Sequence, residues 1–165
     1  MNSLLKGTAF ITGAASGMCP TGQATFRKSS SSRVFERQWL RIIEGIGQYT
    51  AYGLAAHGIK RLTLADINSK ALRTTVEELK QRYADVDVKA IELDVSNEKS
   101  VEEGIRETVS TFGSIDIAVN NAGIAGLPMP THEVPISDWN RVLNVNLTGV
   151  WMCQRAQIQQ MLKQE

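Results

Sequence analysis

The sequence predicts an α/β protein: a doubly wound parallel sheet of about four strands with flanking helices. Four short runs rich in Ile, Val and Leu recur at residues 8–12, 61–65, 88–95 and 115–119, each too short for a helix. Three of the four lack polar alternation, as strands buried on both faces do. Longer stretches with helical periodicity separate them, and strand–helix alternation at this spacing builds right-handed βαβ units.

The first run ends in Thr12-Gly13-Ala14-Ala15-Ser16-Gly17. Residues 18–44 then break the rhythm with Pro20, Gly22, four serines at 29–32 and the basic residues Arg27, Lys28 and Arg33. A weak helical pattern runs through Phe35, Trp39, Ile42 and Ile43. So long an interruption is unusual in a compact domain, and 18–44 reads as an atypical insert. Gly45-Ile46-Gly47-Gln48 follows and opens a helical stretch at 49–57. With 18–44 set aside, the glycines on its two sides make one loop between a strand and a helix. Such glycines allow a tight turn and close approach to a pyrophosphate, which the free N–H groups and dipole of the helix N-terminus favour.

Leu72, Val76, Leu79 and Tyr83 form one apolar stripe, with Glu77, Glu78, Lys80 and Gln81 opposite. Val101, Ile105, Val109 and Phe112 repeat the pattern. Ser96 or Asn97 is placed to cap this helix, Glu98 suits its first turn, and Gly113 suits its end. A last helix is expected from near Ser137, a cap candidate followed by Asp138, to the end of the chain.

Composition narrows the function classes. At 165 residues the chain suits one domain, and a net charge of +1 gives no argument for a nucleic-acid or anionic-membrane surface. Cys19 and Cys153 are far apart and suggest neither a disulfide framework nor a metal site, so a reducing, cytoplasmic setting is expected. The first apolar stretch is broken by Gly7, Thr8 and Thr12, too early for a signal peptide or membrane span. Trp139, Trp151 and Met152 read as core or subunit-contact residues. His57 and His132 have no partners at ligand or triad spacing and read as structural.

Threonine-glycine opening the glycine loop, Asp66 at the end of the second run, Asp94-Val95 at the end of the third, and Asn120-Asn121-Ala122-Gly123 after the fourth resemble the short-chain dehydrogenase/reductase family. The resemblance spans nearly the whole chain apart from 18–44 and implies a partial Rossmann domain that binds NAD(P). It assigns the phosphate loop to Thr12, Gly13, Ser16, Gly17, Gly45, Ile46 and Gly47. Asp66 would accept from the adenosine ribose hydroxyls and repel a 2′-phosphate, which favours NAD over NADP. The positions matching Ser16 and Ile67, where relatives using NADP often carry a base, are not basic here. Asp94 and Val95 would meet the adenine; Asn121, Ala122 and Gly123 would line the cofactor's path. Asn146 matches the asparagine of the family's catalytic tetrad.

The family's serine and Tyr-x-x-x-Lys do not occur: Tyr49, Tyr52 and Tyr83 are followed four residues on by Gly53, Ala56 and Asp87. The resemblance therefore implies hydride transfer between nicotinamide and a small carbonyl or alcohol, by a chain that is catalytically incomplete as written. It also implies a homo-oligomer formed through the last helix. Two alternatives stay open: a non-catalytic nucleotide-binding or oligomerisation module, and an unstable truncated product.

Overall fold

In the computed structural model, which describes residues 5–15 and 45–164, the first apolar run becomes strand β1, Thr8–Thr12, buried along its whole length. Helix α1 spans Ile46–Ala56, β2 Arg61–Asp66, α2 Ser69–Arg82, β3 Asp87–Glu92, α3 Glu98–Phe112 and β4 Ile117–Asn120. A short 3-10 turn, Thr131–Glu133, precedes α4, Ile136–Leu143. A π-helical turn, Asn144–Gly149, leads without a break into α5, Val150–Met161.

The strands form one parallel sheet in the order β3-β2-β1-β4. Side chains alternate along β1, as the period of a strand requires. Ala9 and Ile11 join Ala51 and Ala55 of α1 and Leu72 and Leu79 of α2 on one face. Phe10 joins Val101 and Ile105 of α3 and Cys153 of α5 on the other. Helices thus cover both faces, as expected of a doubly wound sheet. After β3 the chain crosses back over β2 and β1 to place β4, so its direction of growth reverses between β1 and β4. A crevice outside the carboxyl ends of the strands at such a reversal is where open α/β sheets bind ligands.

Helix ends follow local chemistry. The side chain of Asn68 accepts from Ala71 N–H, and that of Asn97 accepts from Ser100 N–H. Asn97, rather than Ser96, is therefore the cap of α3. Gly113 ends α3 with φ +85°, a left-handed conformation that glycine adopts without a side-chain clash.

Four expectations are corrected. The ladder between β2 and β3 ends at Glu92, so Asp94 and Val95 lie in the turn beyond the strand rather than at its end. β4 begins two residues later than the apolar run, at Ile117. As sheet edges, β3 has only Ile91 buried and β4 is half-buried throughout, unlike strands covered on both sides. The last long helix begins at Ile136 after Pro135, with Ser137 already inside its first turn.

Trp139 and Trp151 are 53% and 56% exposed, so neither is a core residue. His57 closes α1 with its Nδ1 2.7 Å from the Gly53 carbonyl, and His132 stands beside Glu133. Burial pushes the Cys153 thiol up to about 11, so it packs as a small apolar group with little thiolate at neutral pH. Cys19 and the weak helical pattern at 34–43 lie outside the described residues.

Candidate dinucleotide site

The glycines on the two sides of 18–44 meet in space. A Cβ on Gly47, in the first turn of α1, would lie 2.1 Å from the Gly13 carbonyl oxygen. Only glycine permits the helix to start this close to the end of β1. Gly13 itself has φ +65°, and a Cβ there would lie 2.7 Å from Ala122 Cα. The strand end, the helix start and the segment after β4 therefore interlock through three backbones.

Hydrogen bonds complete this knot. Thr12 Oγ1 accepts from the N–H groups of Asn121 and Ala122 at 3.1 and 3.2 Å. Asn121 Nδ2 donates to the Gly13 carbonyl at 3.1 Å. Thr12, Gly13, Gly47, Asn121 and Ala122, five residues the sequence singled out, thus form one unit. Gly45 sits at the N-cap of α1 with φ +107°, and Ile46 beside it is exposed.

No side chain caps α1, and its first turn holds no acidic residue, whereas α2 and α3 have asparagine caps. Its first N–H groups have the chemistry that a phosphate would satisfy. Gln48, the next residue, donates to Glu78 Oε2 at 3.2 Å, and the Tyr52 hydroxyl donates to the same oxygen at 2.6 Å. Arg82 covers the Tyr52 ring at 4.6 Å. Burial, then the Glu78 hydrogen bond, pushes the Tyr52 phenol up to about 12, so it stays protonated and ties α1 to α2. Ser16 and Gly17 lie outside the described residues.

Asp66 ends β2 and reaches across to the glycine loop. Its Oδ2 accepts from Ala15 N–H at 3.0 Å and its Oδ1 from Asn68 N–H at 2.9 Å. Asn68, not Asp66, caps α2. A carboxylate oxygen has two acceptor sites, so each retains one, the number a pair of ribose hydroxyls needs. Lys60 and Arg61 lie at the other end of β2, roughly 16 Å away at the rise of a strand. There Lys60 pairs with Asp85, and Arg61 donates to the Phe112 carbonyl.

Asp94 Oδ1 accepts from the N–H and hydroxyl of Ser96 at 2.9 and 2.6 Å, and its own N–H donates to Ser100 Oγ. Its Oδ2 has no hydrogen bond among the described residues. Val95 turns its side chain into the core, where its carbonyl would be 3.0 Å from a Cβ on Gly149.

Asn146 lies in the π-helical turn and is exposed. Its Oδ1 accepts from Ile124 N–H at 2.8 Å and its Nδ2 donates to the Ile124 carbonyl at 2.9 Å. Its Oδ1 would be 3.4 Å from a Cβ on Gly123. One donor and one acceptor of the side chain thus hold the chain just past Gly123. A π turn shifts the helix ladder by one residue, a distortion frequent at functional sites.

Two residues of α5 and its end were missed in the sequence. Gln157, 2% exposed, exchanges a reciprocal pair of 2.8 Å hydrogen bonds with the Asn120 side chain. Gln164 does the same with the backbone of Ile115, at 2.9 and 2.8 Å. With Asn146, these carboxamides fix the last helix along β4 at three levels. The signal was present as polar residues on the inner face of an amphipathic helix, but their partners lie 22 to 49 residues away.

The described candidates therefore stand in a row along the carboxyl ends of the strands. Asp94 is beyond β3, Asp66 at β2, the glycine knot between β1 and β4, and Asn146 beyond β4.

The model of the short chain dehydrogenase family matches residues 42–165, beginning just before Gly45. A levodione reductase of Leifsonia aquatica is 37% identical over 108 residues, 66% of this chain and 40% of that protein. A 3-oxoacyl-[acyl-carrier-protein] reductase of Synechocystis is 36% identical, over 73% of this chain and 48% of that one. The crystal structure of levodione reductase superposes with a TM-score of 0.76 at 29% identity, covering 96% of this chain and 50% of that one. NAD+-bound xylitol dehydrogenase gives 0.74 at 27% identity, over 96% and 49%. The chain spans about half the length of the curated relatives it matches. No described helix is long and apolar enough to cross a membrane.

Proposed function

The chain belongs to the short-chain dehydrogenase family, and from that premise we propose that it is the cofactor-holding half of an NAD-dependent oxidoreductase acting on a small carbonyl or alcohol. One observation carries the reading above the others. Gly13 and Gly47, separated in sequence by the insert at 18–44, pack backbone to backbone at the reversal point of the sheet. That contact restores the strand–loop–helix turn that a pyrophosphate needs.

The first N–H groups of α1, at Gly45, Ile46 and Gly47, would hold the pyrophosphate. Asp66 would take the adenosine ribose, Asp94 and the Val95 peptide the adenine, and Asn121, Ala122 and Gly123 the remaining ribose. A bound nicotinamide supplies hydride chemistry. The residues of this chain bind and orient it: the glycine knot sets the helix against the phosphates, and Asn146 fixes the backbone past Gly123. The chain contains no Tyr-x-x-x-Lys to move a proton at the substrate oxygen, so it turns over no substrate by itself.

Three further features belong to this reading. NAD is preferred to NADP, because Asp66 is anionic and Lys60 and Arg61 lie at the far end of β2. The exposed stripe Leu147, Trp151, Ile158 and Leu162 on the last helix is a surface for a second copy of the chain. The setting is cytoplasmic, in line with the isolated, buried Cys153 thiol.

Calorimetric titration with NAD and NADP tests the assignment. The chain is expected to bind NAD at least about tenfold more tightly, since facing anions repel by several kcal/mol before screening. Asp66→Ser is expected to erase that preference, with some loss for both nucleotides because Ala15 N–H loses its acceptor. Equal affinities in the unaltered chain would remove Asp66 from the ribose site.

A further inference from the structure

Beyond Gly123 the chain leaves the sheet through residues 124–127, and this strap is fastened to the last helix entirely through its own backbone. Asn146 holds both peptide groups of Ile124. Arg141 donates from Nη2 to the Ala125 carbonyl at 3.2 Å. Asp138 Oδ2 accepts from Leu127 N–H at 2.8 Å, and its Oδ1 accepts from Arg141 Nε and Nη2 at 3.1 and 2.6 Å. Asp138 is only 9% exposed, and its Oδ2 would be 3.2 Å from a Cβ on Gly126. The carboxylate therefore sits directly under the strap. The Leu127 hydrogen bond, then the Arg141 pair, holds its pKa below the usual aspartate value, so it is ionised at neutral pH.

The place of the strap gives this clasp a role. Asp66 and Asp94 lie on the β2–β3 side of the glycine knot, and β4 lies on the other side of β1. A dinucleotide with its adenosine at Asp66 and its phosphates at the knot must extend its second half toward β4. The strap begins one residue after Gly123 and borders that second half. Ile124 is half-buried, whereas Leu127 is 47% exposed, and Met129, whose N–H donates to the Leu127 carbonyl at 2.9 Å, is 37% exposed.

We infer that Asp138 is a positioning residue for the reactive end of the site, holding the wall of residues 124–127 beside the nicotinamide half and so setting where Leu127 and Met129 meet the substrate. This rests on the dinucleotide reading above. Asp138 touches no cofactor itself; it acts through the Leu127 peptide and through Arg141.

The experiment uses the full chain and Asp138→Asn, which keeps the size of the side chain but abolishes its charge. Amide hydrogen exchange is followed by NMR, and NADH and ADP are titrated by calorimetry. Amides of 124–127 are expected to exchange about tenfold faster, the factor for one lost charge-assisted hydrogen bond, with β1 and β2 unchanged. NADH binding is expected to weaken several-fold while ADP, which stops at the phosphates, binds as before. A general loss of structure would instead weaken both ligands together, and that result overturns the assignment, as does unchanged exchange in the strap. Arg141→Met is expected to give the same split at smaller size, which covers a failure of Asp138→Asn to fold. If the unaltered chain binds neither NADH nor ADP, the dinucleotide reading fails and the role of the wall with it. Unchanged strap exchange in a chain that binds both would overturn Asp138 alone.

Discussion

Alanine in place of Gly47 is expected to abolish NAD binding and to destabilise the fold by about 3 kcal/mol or more, at the upper end of overpacking costs. The added Cβ would lie 2.1 Å from the Gly13 carbonyl oxygen and the Asn121 amide nitrogen would be 2.8 Å away. The first obstacle is backbone, and the second, a side-chain nitrogen, is held in place by its hydrogen bond to Gly13. Relief requires moving α1 away from β1, which also withdraws its N–H groups from the phosphate position. Thermal unfolding and an NAD titration on the same material read both effects. A variant that unfolds like the parent and still binds NAD would show that the Gly13–Gly47 contact does not build the site.

Valine at Thr12 should cost about 2–6 kcal/mol, since two N–H groups each lose their acceptor at roughly 1–3 kcal/mol apiece. Thr12 is 1% exposed, so water cannot replace the hydroxyl without opening the knot. The swap keeps the shape of the side chain, which isolates the hydrogen bonds from packing. Thr12→Ser retains the acceptor and is expected to recover most of the loss. Urea unfolding of the three proteins decides it. A cost for valine no larger than that for serine would mean that the Asn121 and Ala122 amides are satisfied in some other way.

How far the sequence shows this architecture depends on what sets each feature. β1 is legible to the residue because its whole length is buried on both faces. The α3 boundaries are legible too, since Asn97 and Gly113 act through their own local backbone. The end of β3 is not legible, because the apolar pattern continues through Leu93 and Val95 after the ladder has stopped. These residues stay buried under α3 and α5 beyond the last paired residues, with only the Leu93 N–H still bonded to the Asp66 carbonyl. Hydrophobicity records burial, and burial outlasts the strand.

In the site, residues that belong to a recognisable motif were legible, and those outside any motif were not. Gly13 and Gly47 stand out as glycines in a strand–loop–helix context even with 18–44 between them. The Asn120–Gln157 pair joins residues 37 apart, and nothing local marks Gln157 as its partner. Asp138 was visible only as an acidic residue near a helix start, whereas its partners Leu127 and Ala125's neighbour Arg141 give it a place in the site. Position 146 was identified, but not the π turn around it, which ends at Gly149, packed so close to Val95 that a Cβ would come within 3.0 Å. That close approach is tertiary, so no helix pattern foretells it. Trp139 and Trp151 show the opposite limit: size and hydrophobicity alone do not separate a core residue from a surface one, and the described fold buries neither.

The central claim is that the carboxyl ends of β1, β2 and β4 hold a dinucleotide, with 18–44 set into its phosphate loop. Calorimetric titration of NAD into the full chain and into a version lacking residues 18–44 tests it most directly. The account predicts saturable binding of one NAD by the shortened version and weaker binding by the full chain, because the insert divides the loop where the pyrophosphate would lie. No binding by either protein, with both folded, would contradict the claim.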